Sequence, residues 1–403
     1  MENKHQTLVC FTSSYPYGTR ETYFENELQY LAQEFKTVYI QPTYNPYKTH
    51  AKRNIPANVV VIEEPMVPSG KQARFVQGIF NSTSLGMFVK DLIKNKAYSS
   101  KPAISQWVNT LLVHRISYQK VEKLLEKVGK DALLYSYWAN APVFATELCK
   151  PYKKIVRMHF GDFYLDRFNG YMPVRSNIYS SAELLLPISN DISSILQNFY
   201  KIDKSKIFVS HLGINNTADY CTVKDSEIVR VVSCSHLEPR KRVHLIAEAL
   251  TKYTGNHQIE WHHFGGGTEM SKIQDIVKEV GKNVNVNLHG PVSQAQLYQF
   301  YQDNYVNWFL NVSTGEGIPV SIMEAFSFGI PAIATDGGAT YEIVNAANGH
   351  LIPKDFDTQI IADLLAKPDP DYRRKRNEAL NTWYAKFNAE SNYTQLVKRM
   401  QAL

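Results

Sequence analysis

Residues 313–338 of this 403-residue chain read STGEGIPVSIMEAFSFGIPAIATDGG. The apolar run that ends at Asn311 predicts a strand, and Pro319 predicts the first turn of a helix, where the N–H group that proline lacks is not needed. Gly315 and Gly317, in the loop between them, let the backbone approach a ligand closely. The start of such a helix presents free N–H groups and a partial positive charge. The segment therefore predicts an α/β unit with an anion-binding end.

Short apolar runs alternate with longer amphipathic stretches along the rest of the chain. This alternation is typical of βαβ units and predicts parallel sheets. It pauses in the polar stretch 215–224 and then starts again, so we predict two doubly wound, Rossmann-like α/β domains that face a central cleft. The predicted elements include a helix over Pro142–Leu148, a strand over Ile207–His211 and a helix over Tyr341–Asn345.

The predicted first domain covers residues 1–215 and contains a mostly helical insertion at about 45–130, where the alternation breaks. A linker is predicted at 216–226 and a second domain at 227–387. The final stretch, 388–403, predicts a polar helix that can return to the first domain.

Composition predicts a cytoplasmic protein. Cys10, Cys149, Cys221 and Cys234 are scattered without a CxxC pair, which is typical of reduced thiols. The first residues lack the pattern of a signal peptide, and no apolar run approaches the roughly 20 residues that a membrane-spanning helix needs.

The net charge of +6 is unevenly distributed. Between Lys71 and Lys130 there are eleven Lys and Arg residues and three acidic residues, an excess of eight positive charges. Apolar residues of the same segment, among them Phe75, Ile79 and Phe88, are expected to be exposed. Such a surface can lie on anionic lipid headgroups, and a solvated helical face is the plainer interpretation. No recognised nucleic-acid motif accompanies the charge, so we predict no nucleic-acid partner.

Two glutamates stand out in the opening segment. Glu316 lies in the loop and Glu324 about one and a half turns into the helix, so both can face one ligand. Carboxylates accept hydrogen bonds from the neighbouring hydroxyls of sugars and riboses. With the Gly-Ile-Pro at 329–331 and the closing Gly-Gly, this pattern resembles the signature of glycosyltransferase family 4, which comprises retaining enzymes of the GT-B fold.

The resemblance implies transfer of a hexose-type sugar from a nucleotide diphosphate sugar to a glycan or lipid-linked acceptor in cell-surface polysaccharide synthesis. It implies that Glu324 binds the ribose, while Lys241 and Glu316 act on the diphosphate and the sugar as catalytic residues. His236 stands where the family usually has an arginine, so Arg240 and Arg242 are candidates for the second positive charge. Further donor contacts are expected from Gly317, Ile318, Pro319, Val320, Gly265, Gly266, Pro291 and Val292.

In the first domain, residues 157–164 (RMHFGDFY) resemble the family's histidine motif beside the transferred sugar. The resemblance makes His159 a third catalytic residue and places Arg157 and Asp162 near the acceptor. The loop 14–21 resembles the family's amino-terminal loop near the donor phosphates, and Gly18 is the candidate donor contact in it.

No metal or other cofactor is predicted. Asp355-Phe356-Asp357 and Asp369-Pro370-Asp371 match the Asp-x-Asp of metal-dependent transferases, but both lie late in the chain. Lys241, backbone N–H groups and a helix end can neutralise a leaving diphosphate without a cation. A UDP-sugar is favoured over a GDP-sugar. The alternatives are a GT-B-fold sugar-nucleotide epimerase or phosphorylase, a non-catalytic carbohydrate-binding scaffold, and a transferase for small acceptors without membrane contact.

Overall fold

A computed structural model describes residues 5–18, 21–68, 70–80, 85–216 and 227–403. The chain folds into two compact units. Unit 1 comprises Met1–Gly213 and Ala389–Leu403, and unit 2 comprises Ile214–Asn388. Apart from Asn216, the predicted linker at 216–226 lies outside the described residues, and so does Cys221.

Unit 1 is built on a sheet of six parallel strands in the order β3-β2-β1-β4-β5-β6. Its strands are β1 (Thr7–Thr12), β2 (Thr37–Pro42), β3 (Val59–Val61), β4 (Leu133–Ser136), β5 (Lys153–Met158) and β6 (Leu184–Pro187). Its helices are α1 (Thr22–Glu34), α2 (Lys71–Phe80), α3 (Gly86–Lys94), α4 (Lys101–Leu125), α5 (Phe160–Phe163), α6 (Arg175–Ser181), α7 (Asn190–Asn198) and α14 (Ala389–Gln401). The winding of the sheet reverses between β1 and β4, as in doubly wound folds.

Unit 2 repeats this plan, with its six parallel strands in the order β12-β11-β10-β7-β8-β9. Its strands are β7 (Ile228–Cys234), β8 (Gln258–Phe264), β9 (Val284–Gly290), β10 (Trp308–Asn311), β11 (Ala332–Thr335) and β12 (Gly349–Ile352). Its helices are α8 (His244–Thr251), α9 (Met270–Ile276), α10 (Gln294–Asp303), α11 (Val320–Ser327), α12 (Gln359–Ala366) and α13 (Tyr372–Lys386). The winding reverses between β7 and β10, so the prediction of two doubly wound α/β domains is confirmed.

The predicted helical insertion contains α2, α3 and α4, together with strand β3 at the edge of the sheet. Helix α4 begins where the sequence specifies a start. The Ser100 side chain accepts a hydrogen bond from the N–H of Ala103 at 3.5 Å, and Pro102 lies in the first turn. None of the described helices combines the length and the apolar character that crossing a bilayer requires.

Helix α14 completes unit 1 although about 175 residues of unit 2 precede it in the chain. Tyr393, Leu396, Val397 and Met400 are all buried in the core that contains β1 and α1. The Tyr393 hydroxyl also accepts a hydrogen bond from the N–H of Gly213 at 3.0 Å. The polar residues of the helix point outward, which is why its sequence reads as a polar helix.

Three predicted elements differ from the structure. The stretch predicted as a helix at 142–148 forms two short 3₁₀ helices, Pro142–Ala145 and Glu147–Cys149. The predicted strand at 207–211 makes a single bridge, from Ile207 to Leu185, and the helix predicted at 341–345 is a 3₁₀ turn over Thr340–Glu342. In the first stretch the N–H groups of Phe144 and Cys149 donate to the carbonyls three residues before them, which is the 3₁₀ pattern. In the second, the N–H groups of Phe208 and Ser210 donate to the carbonyls of Leu185 and Pro187 at 2.9 Å each, so these backbone groups are satisfied without a longer ladder.

Truncation of Leu396 should destabilise unit 1, because its side chain is fully buried between α14 and the sheet. We expect Leu396→Ala to lower the free energy of unfolding by about 2–5 kcal/mol. Lys398→Ala, on the exposed side of the same helix, should change it by less than about 0.5 kcal/mol. Urea unfolding followed by circular dichroism measures both, and equal effects would contradict the packing described for α14.

Candidate active site

The loops that follow β7 and β10 meet where the winding of the second sheet reverses. Because β7 and β10 are neighbours, their carboxyl ends lie side by side. The N–H of Thr314 donates to the carbonyl of Arg240 at 2.9 Å and joins the two loops. Across this junction the Lys241 Nζ lies 2.5 Å from the Glu316 Oε1. The structure thus brings together two of the residues predicted to be catalytic.

Glu316 is held as an anion in a nearly closed environment, since only 9% of its surface is exposed. Burial by itself would raise the pKa of this carboxyl, but Lys241 and then Arg240 outweigh burial and bring the pKa below its ordinary value. The Arg240 Nη1 lies 3.4 Å from the Glu316 Oε2 and 2.7 Å from the carbonyl oxygen of Gly315. The site therefore concentrates one carboxylate and two cations.

The backbone of Glu316 is fixed by the turn after β11. Its N–H donates to the carbonyl of Gly337 at 3.1 Å, and its carbonyl accepts from the N–H of Ala339 at 3.0 Å. Gly338 has φ of 65°, and a Cβ at this position would lie 2.1 Å from the carbonyl oxygen of Glu316. The glycine pair that closes the opening segment is thus required for the position of the glutamate.

Helix α11 starts directly after this loop. Gly317, Ile318 and Pro319 are buried, and Pro319 is the N-cap, one residue before the helix proper. The N–H groups of Val320 and Ser321 have no intrahelical acceptor, as at every helix start. Their partial positive charge adds to that of Lys241 and Arg240, and the arrangement suits a phosphate or diphosphate.

Glu324 lies further along α11 and is partly buried. Burial raises the pKa of its carboxyl to about 7, and a hydrogen bond from Gln294 at 2.6 Å works in the opposite direction. Gln294 is the first residue of α10, whose start is fixed by a capping box between Ser293 and Gln296.

The Cys234 thiol at the end of β7 is influenced by the charges of both Glu324 and Lys241. The pKa of this thiol is raised to about 12, chiefly by burial and also by the Glu324 charge, while the Lys241 charge acts in the opposite direction. Glu324 and Lys241 therefore both act on the end of β7.

The remaining basic candidates divide into different roles. Arg242 donates from Nε to the carbonyl of Val312 at 2.8 Å and from Nη2 to that of Lys354 at 2.9 Å. These two hydrogen bonds join the loop after β7 to the loops after β10 and β12, so Arg242 has a structural role. His236 is exposed, and among the described residues no hydrogen bond or ion pair joins its ring to the Lys241–Glu316 pair. Arg240 is thus the cation that accompanies Lys241.

The glycine turn after β8 packs tightly against the loop after β7. Gly265 has φ of 140°, and a Cβ there would lie 1.9 Å from the carbonyl oxygen of Ser235. Gly266 accepts a hydrogen bond from the N–H of Leu237 at 3.0 Å, and a Cβ on Gly266 would touch the Pro291 ring at 3.3 Å. Pro291 is exposed and Val292 half-buried, so this turn presents surface beside the site.

In unit 1, His159 follows β5 and lies against two aromatic rings. Its ring centroid is 4.8 Å from that of Tyr137 and 4.7 Å from that of Trp138. Both ring nitrogens are buried without a hydrogen-bond partner among the described residues. Burial lowers the pKa of His159 well below its ordinary value, and the nearby Arg157 charge lowers it further. The imidazole is neutral and can both donate and accept a hydrogen bond.

Glu21 organises the loop after β1 and was not predicted as a site residue. Its carboxylate accepts hydrogen bonds from the N–H groups of Ser13, Ser14 and Tyr15 at 2.8, 2.7 and 2.7 Å. It also accepts from the Trp138 Nε1 at 2.6 Å, so the loop after β1 supports the ring that lies on His159. Glu21 has a left-handed backbone, with φ of 60°. Nothing in the sequence around it indicates this conformation or this role.

Gly18 lies in the same loop, with φ of 70°. Its carbonyl accepts a hydrogen bond from the Arg53 Nε at 2.8 Å, and a Cβ would collide with the Tyr47 ring at 2.1 Å. The position therefore needs glycine for the turn itself. Thr19 and Arg20, in the same predicted loop, lie outside the described residues.

Asp162 is close to His159. Its Oδ1 accepts from the N–H of His159 at 2.7 Å and its Oδ2 from the N–H of Ala139 at 2.6 Å. Burial raises the pKa of Asp162 to about 6, opposed by the hydrogen bond from Ala139 and by the charge of Arg175. The carboxyl orients the start of α5 and sits 4.0 Å from the His159 Nδ1.

Arg157 does not fit the predicted contact with an acceptor. Its side chain is fully buried, 3.1 Å from the equally buried Glu27 carboxylate. It also donates to the hydroxyl and the carbonyl of Ser210 at 3.3 and 3.0 Å. A guanidinium with these partners and no exposed surface supports β5 from inside the unit. We therefore correct its role from an acceptor contact to a buried support.

Comparison with known proteins places these features in a known context. Residues 222–379, all in unit 2, match the family model described as glycosyl transferases group 1. A putative colanic acid biosynthesis glycosyltransferase, WcaL of Escherichia coli K12, is 26% identical over 207 residues, which cover 49% of this chain and 50% of the relative. The GtfA subunit of a UDP-N-acetylglucosamine–peptide N-acetylglucosaminyltransferase of Streptococcus gordonii is 25% identical over 185 residues, which cover 42% of this chain and 35% of the relative. The chain thus spans half or less of the length of these relatives.

Solved structures resemble almost the whole chain. The lipopolysaccharide outer core galactosyltransferase WaaB has a TM-score of 0.65 and 15% identity, over 98% of this chain and 99% of that one. HepE of Anabaena, solved in complex with UDP, has a TM-score of 0.63 and 15% identity, over 99% and 100% of the two chains. These similarities establish the fold, and the predicted GT-B fold is confirmed.

The two glutamates of the site should affect stability with opposite dependence on pH. The pKa of Glu324 is raised from 4.5 to about 7 in the folded state, so its stabilising contribution is complete at low pH and is lost as pH rises through about 7. We expect wild type to lose stability relative to Glu324→Gln between about pH 4.5 and 7.

Glu316→Gln is the matched comparison. The pKa of Glu316 is lowered from 4.5, so its contribution is present above that value and is lost only in more acidic solution. The stability difference between wild type and Glu316→Gln should be flat above about pH 5. Thermal unfolding at a series of pH values measures both, and parallel curves would contradict the two environments described.

Proposed function

We propose that the chain is a retaining, metal-independent glycosyltransferase of family 4 that transfers a hexose-type sugar from a nucleotide diphosphate sugar to a glycan or lipid-linked acceptor in cell-surface polysaccharide synthesis. The contact between Lys241 and Glu316 beside the start of α11 carries this proposal. A cation, a carboxylate and free N–H groups at one place suit a sugar attached to a diphosphate. The group 1 family match over residues 222–379 and the glycosyltransferase relatives support it.

In unit 2, each group has a proposed task. Lys241 and Arg240, with the N–H groups at the start of α11, bind the diphosphate. Glu316 accepts hydrogen bonds from sugar hydroxyls, and Glu324 from the ribose hydroxyls. Because Lys241 lies 2.5 Å from Glu316, arrival of the diphosphate gives the ammonium a second anionic partner and frees carboxylate oxygen for the sugar. UDP is the favoured nucleotide, in line with the UDP bound in the solved HepE structure.

Unit 1 supplies the proposed acceptor-side groups. Neither nitrogen of the neutral His159 ring has a hydrogen-bond partner in the described part of the chain, so the ring can hydrogen-bond a hydroxyl of either substrate. Its position is fixed from both sides, by Trp138 and Tyr137 through their rings and by Asp162 through the backbone.

The proposed reaction exchanges one bond at the anomeric carbon. The bond from this carbon to the phosphate oxygen breaks, the bond to the acceptor oxygen forms on the same face, and the acceptor's proton passes to the leaving phosphate. The developing charge on the diphosphate is stabilised by Lys241, Arg240 and the helix start, which act in the transition state without a divalent cation.

The proposed setting is the cytoplasm, with peripheral contact to the inner face of the cytoplasmic membrane. Lipid-linked acceptors are held at that surface. A cationic segment in unit 1 supports such contact, because anionic headgroups attract clustered lysines and arginines.

Replacing Glu316 tests the role of the carboxylate. Glu316→Gln keeps the shape of the side chain but removes the charge, and we expect transfer to fall by about 100-fold or more in kcat/KM. Glu279→Gln, an exposed position elsewhere in unit 2, should leave transfer unchanged. Sugar transfer is measured with a panel of UDP- and GDP-sugars, with circular dichroism to check folding. Full activity of the Glu316 variant would contradict the assignment.

The stereochemistry of the product tests the mechanism. With an α-linked donor, and in the presence of excess EDTA, we expect an α-linked product at an undiminished rate. The one-bond carbon–proton coupling at the anomeric centre, measured by NMR, distinguishes the two outcomes. A β-linked product, or activity lost with EDTA and restored by magnesium, would contradict the proposal.

A further inference from the structure

One side chain at the start of α10 contacts the second glutamate of the site. The Gln294 Nε2 donates to the Glu324 Oε1 at 2.6 Å. Gln294 is exposed and Glu324 is partly buried, so the contact lies at the surface of unit 2, where a ligand can reach it. Because an ionised carboxylate only accepts hydrogen bonds, the amide turns its NH2 group toward Glu324 and leaves its carbonyl oxygen available.

Glu324 differs from Glu316 in having a neutral neighbour instead of cations. Glu316 forms ion pairs with Lys241 and Arg240. The part of the chain that the structure describes supplies no ion pair to Glu324, and Gln294 is the hydrogen-bond partner of its carboxylate. The pKa of Glu324 is raised to about 7 by burial, while the hydrogen bond from Gln294 acts in the opposite direction. The amide therefore favours the ionised form, which is the form that accepts from hydroxyls.

The same face of α10 brings two tyrosines to this place. Tyr298 and Tyr301 follow Gln294 by four and seven residues, a spacing that puts the three side chains on one side of a helix. Burial and the charge of Glu324 are among the causes that raise the pKa of both phenols, so the glutamate lies near them. Both hydroxyls are buried without a hydrogen-bond partner among the described residues. The phenols thus leave the oxygens of Glu324 unoccupied, and Gln294 is the group that orients the carboxylate.

The two side chains together match a pair of neighbouring hydroxyls. Glu324 offers its Oε2 as an acceptor, and Gln294 offers a carbonyl oxygen and its second amide N–H. Each ribose hydroxyl has one donor and two acceptor positions, so one hydroxyl can donate to the carboxylate while its neighbour bonds to the amide. A deoxyribose lacks one of these hydroxyls and leaves a polar group of the site without its partner.

We propose that Gln294 is a specificity-determining residue of the donor site, which positions the Glu324 carboxylate and with it selects a nucleotide that carries both ribose hydroxyls. The inference rests on the proposed function, in which Glu324 accepts hydrogen bonds from the ribose, and it adds a second side chain, from a different helix, to that contact. Without Gln294 the Glu324 side chain is free to change rotamer, and fixing it on binding costs affinity.

Calorimetric titration of the full chain with UDP, 2′-deoxy-UDP and 3′-deoxy-UDP tests this selection. We expect wild type to bind at least one of the deoxy forms about ten-fold or more weakly than UDP. Gln294→Ala should bind UDP about five-fold or more weakly and should reduce that discrimination to about three-fold or less. Gln299→Ala, which removes an exposed glutamine from another face of α10, is the matched control and should behave as wild type.

A change of charge at the same position gives a readout that a loss of structure does not. Gln294→Glu puts two carboxyl groups within hydrogen-bond distance, and such a pair holds one proton in acidic solution. The shared proton replaces the amide N–H, so we expect UDP affinity close to that of wild type at about pH 5.5 and a loss of about ten-fold or more at about pH 8.5. Burial raises the pKa of the Cys234 thiol and of the two phenols near Glu324 beyond this range. Wild type titrated at the same pH values corrects for the ionisation of UDP itself.

The outcomes separate this inference from the proposed function. Wild type that binds UDP and both deoxy forms equally, a discrimination that Gln294→Ala retains, or equal loss of affinity in Gln299→Ala would overturn the role of Gln294 and leave the proposed function intact. The same would follow if Gln294→Glu and wild type had parallel pH profiles. Thermal unfolding checks that each variant is folded. If GDP is the nucleotide that binds, GDP and its deoxy forms take the place of UDP. A wild type that binds neither nucleotide would refute the proposed function, and the inference with it.

Discussion

Where the winding of a parallel sheet reverses, the chain leaves two neighbouring strands toward opposite faces of the sheet. A crevice therefore opens at the carboxyl ends of these two strands, between the loops that follow them. In unit 2 these strands are β7 and β10, and their loops supply Lys241 and Glu316. The buried carboxylate is kept ionised by the cations across the junction, and the glycines after β11 hold its backbone in place. The rest of the site, including the start of α11 and Glu324, is arranged around this meeting of opposite charges.

Unit 1 uses the same topology for a different chemistry. Its winding reverses between β1 and β4, where the Glu21 carboxylate collects N–H groups of one loop and the indole N–H of the other. The Trp138 ring held in this way lies, with the Tyr137 ring, against the neutral imidazole of His159. Burial, and then the charge of the fully buried Arg157, which is paired with Glu27, raise the cost of placing a positive charge on that ring.

Most of the fold could be predicted from the sequence, because the period of apolar residues changes each time a strand gives way to a helix. The site in unit 2 could be predicted in part, since the loop, helix start and two glutamates lie within one short segment. Arg157 and Glu21 could not. Their partners, Glu27 and Trp138, are 130 and 117 residues away in the chain, and nothing in the local pattern marks the pairing. The expected exposure of Phe88 failed for a similar reason, because only the approach of α4 decides which side of α3 is covered.

The return of α14 to unit 1 has a consequence for biosynthesis. The ribosome completes every residue of unit 2 before it makes the helix that covers Leu28 and Leu31 in the first core. The nascent unit 1 must therefore expose a hydrophobic groove while unit 2 is translated and folds. Chaperones that bind exposed hydrophobic surface have the most time to act on the chain at this stage. The half of the protein that is made first is thus finished last.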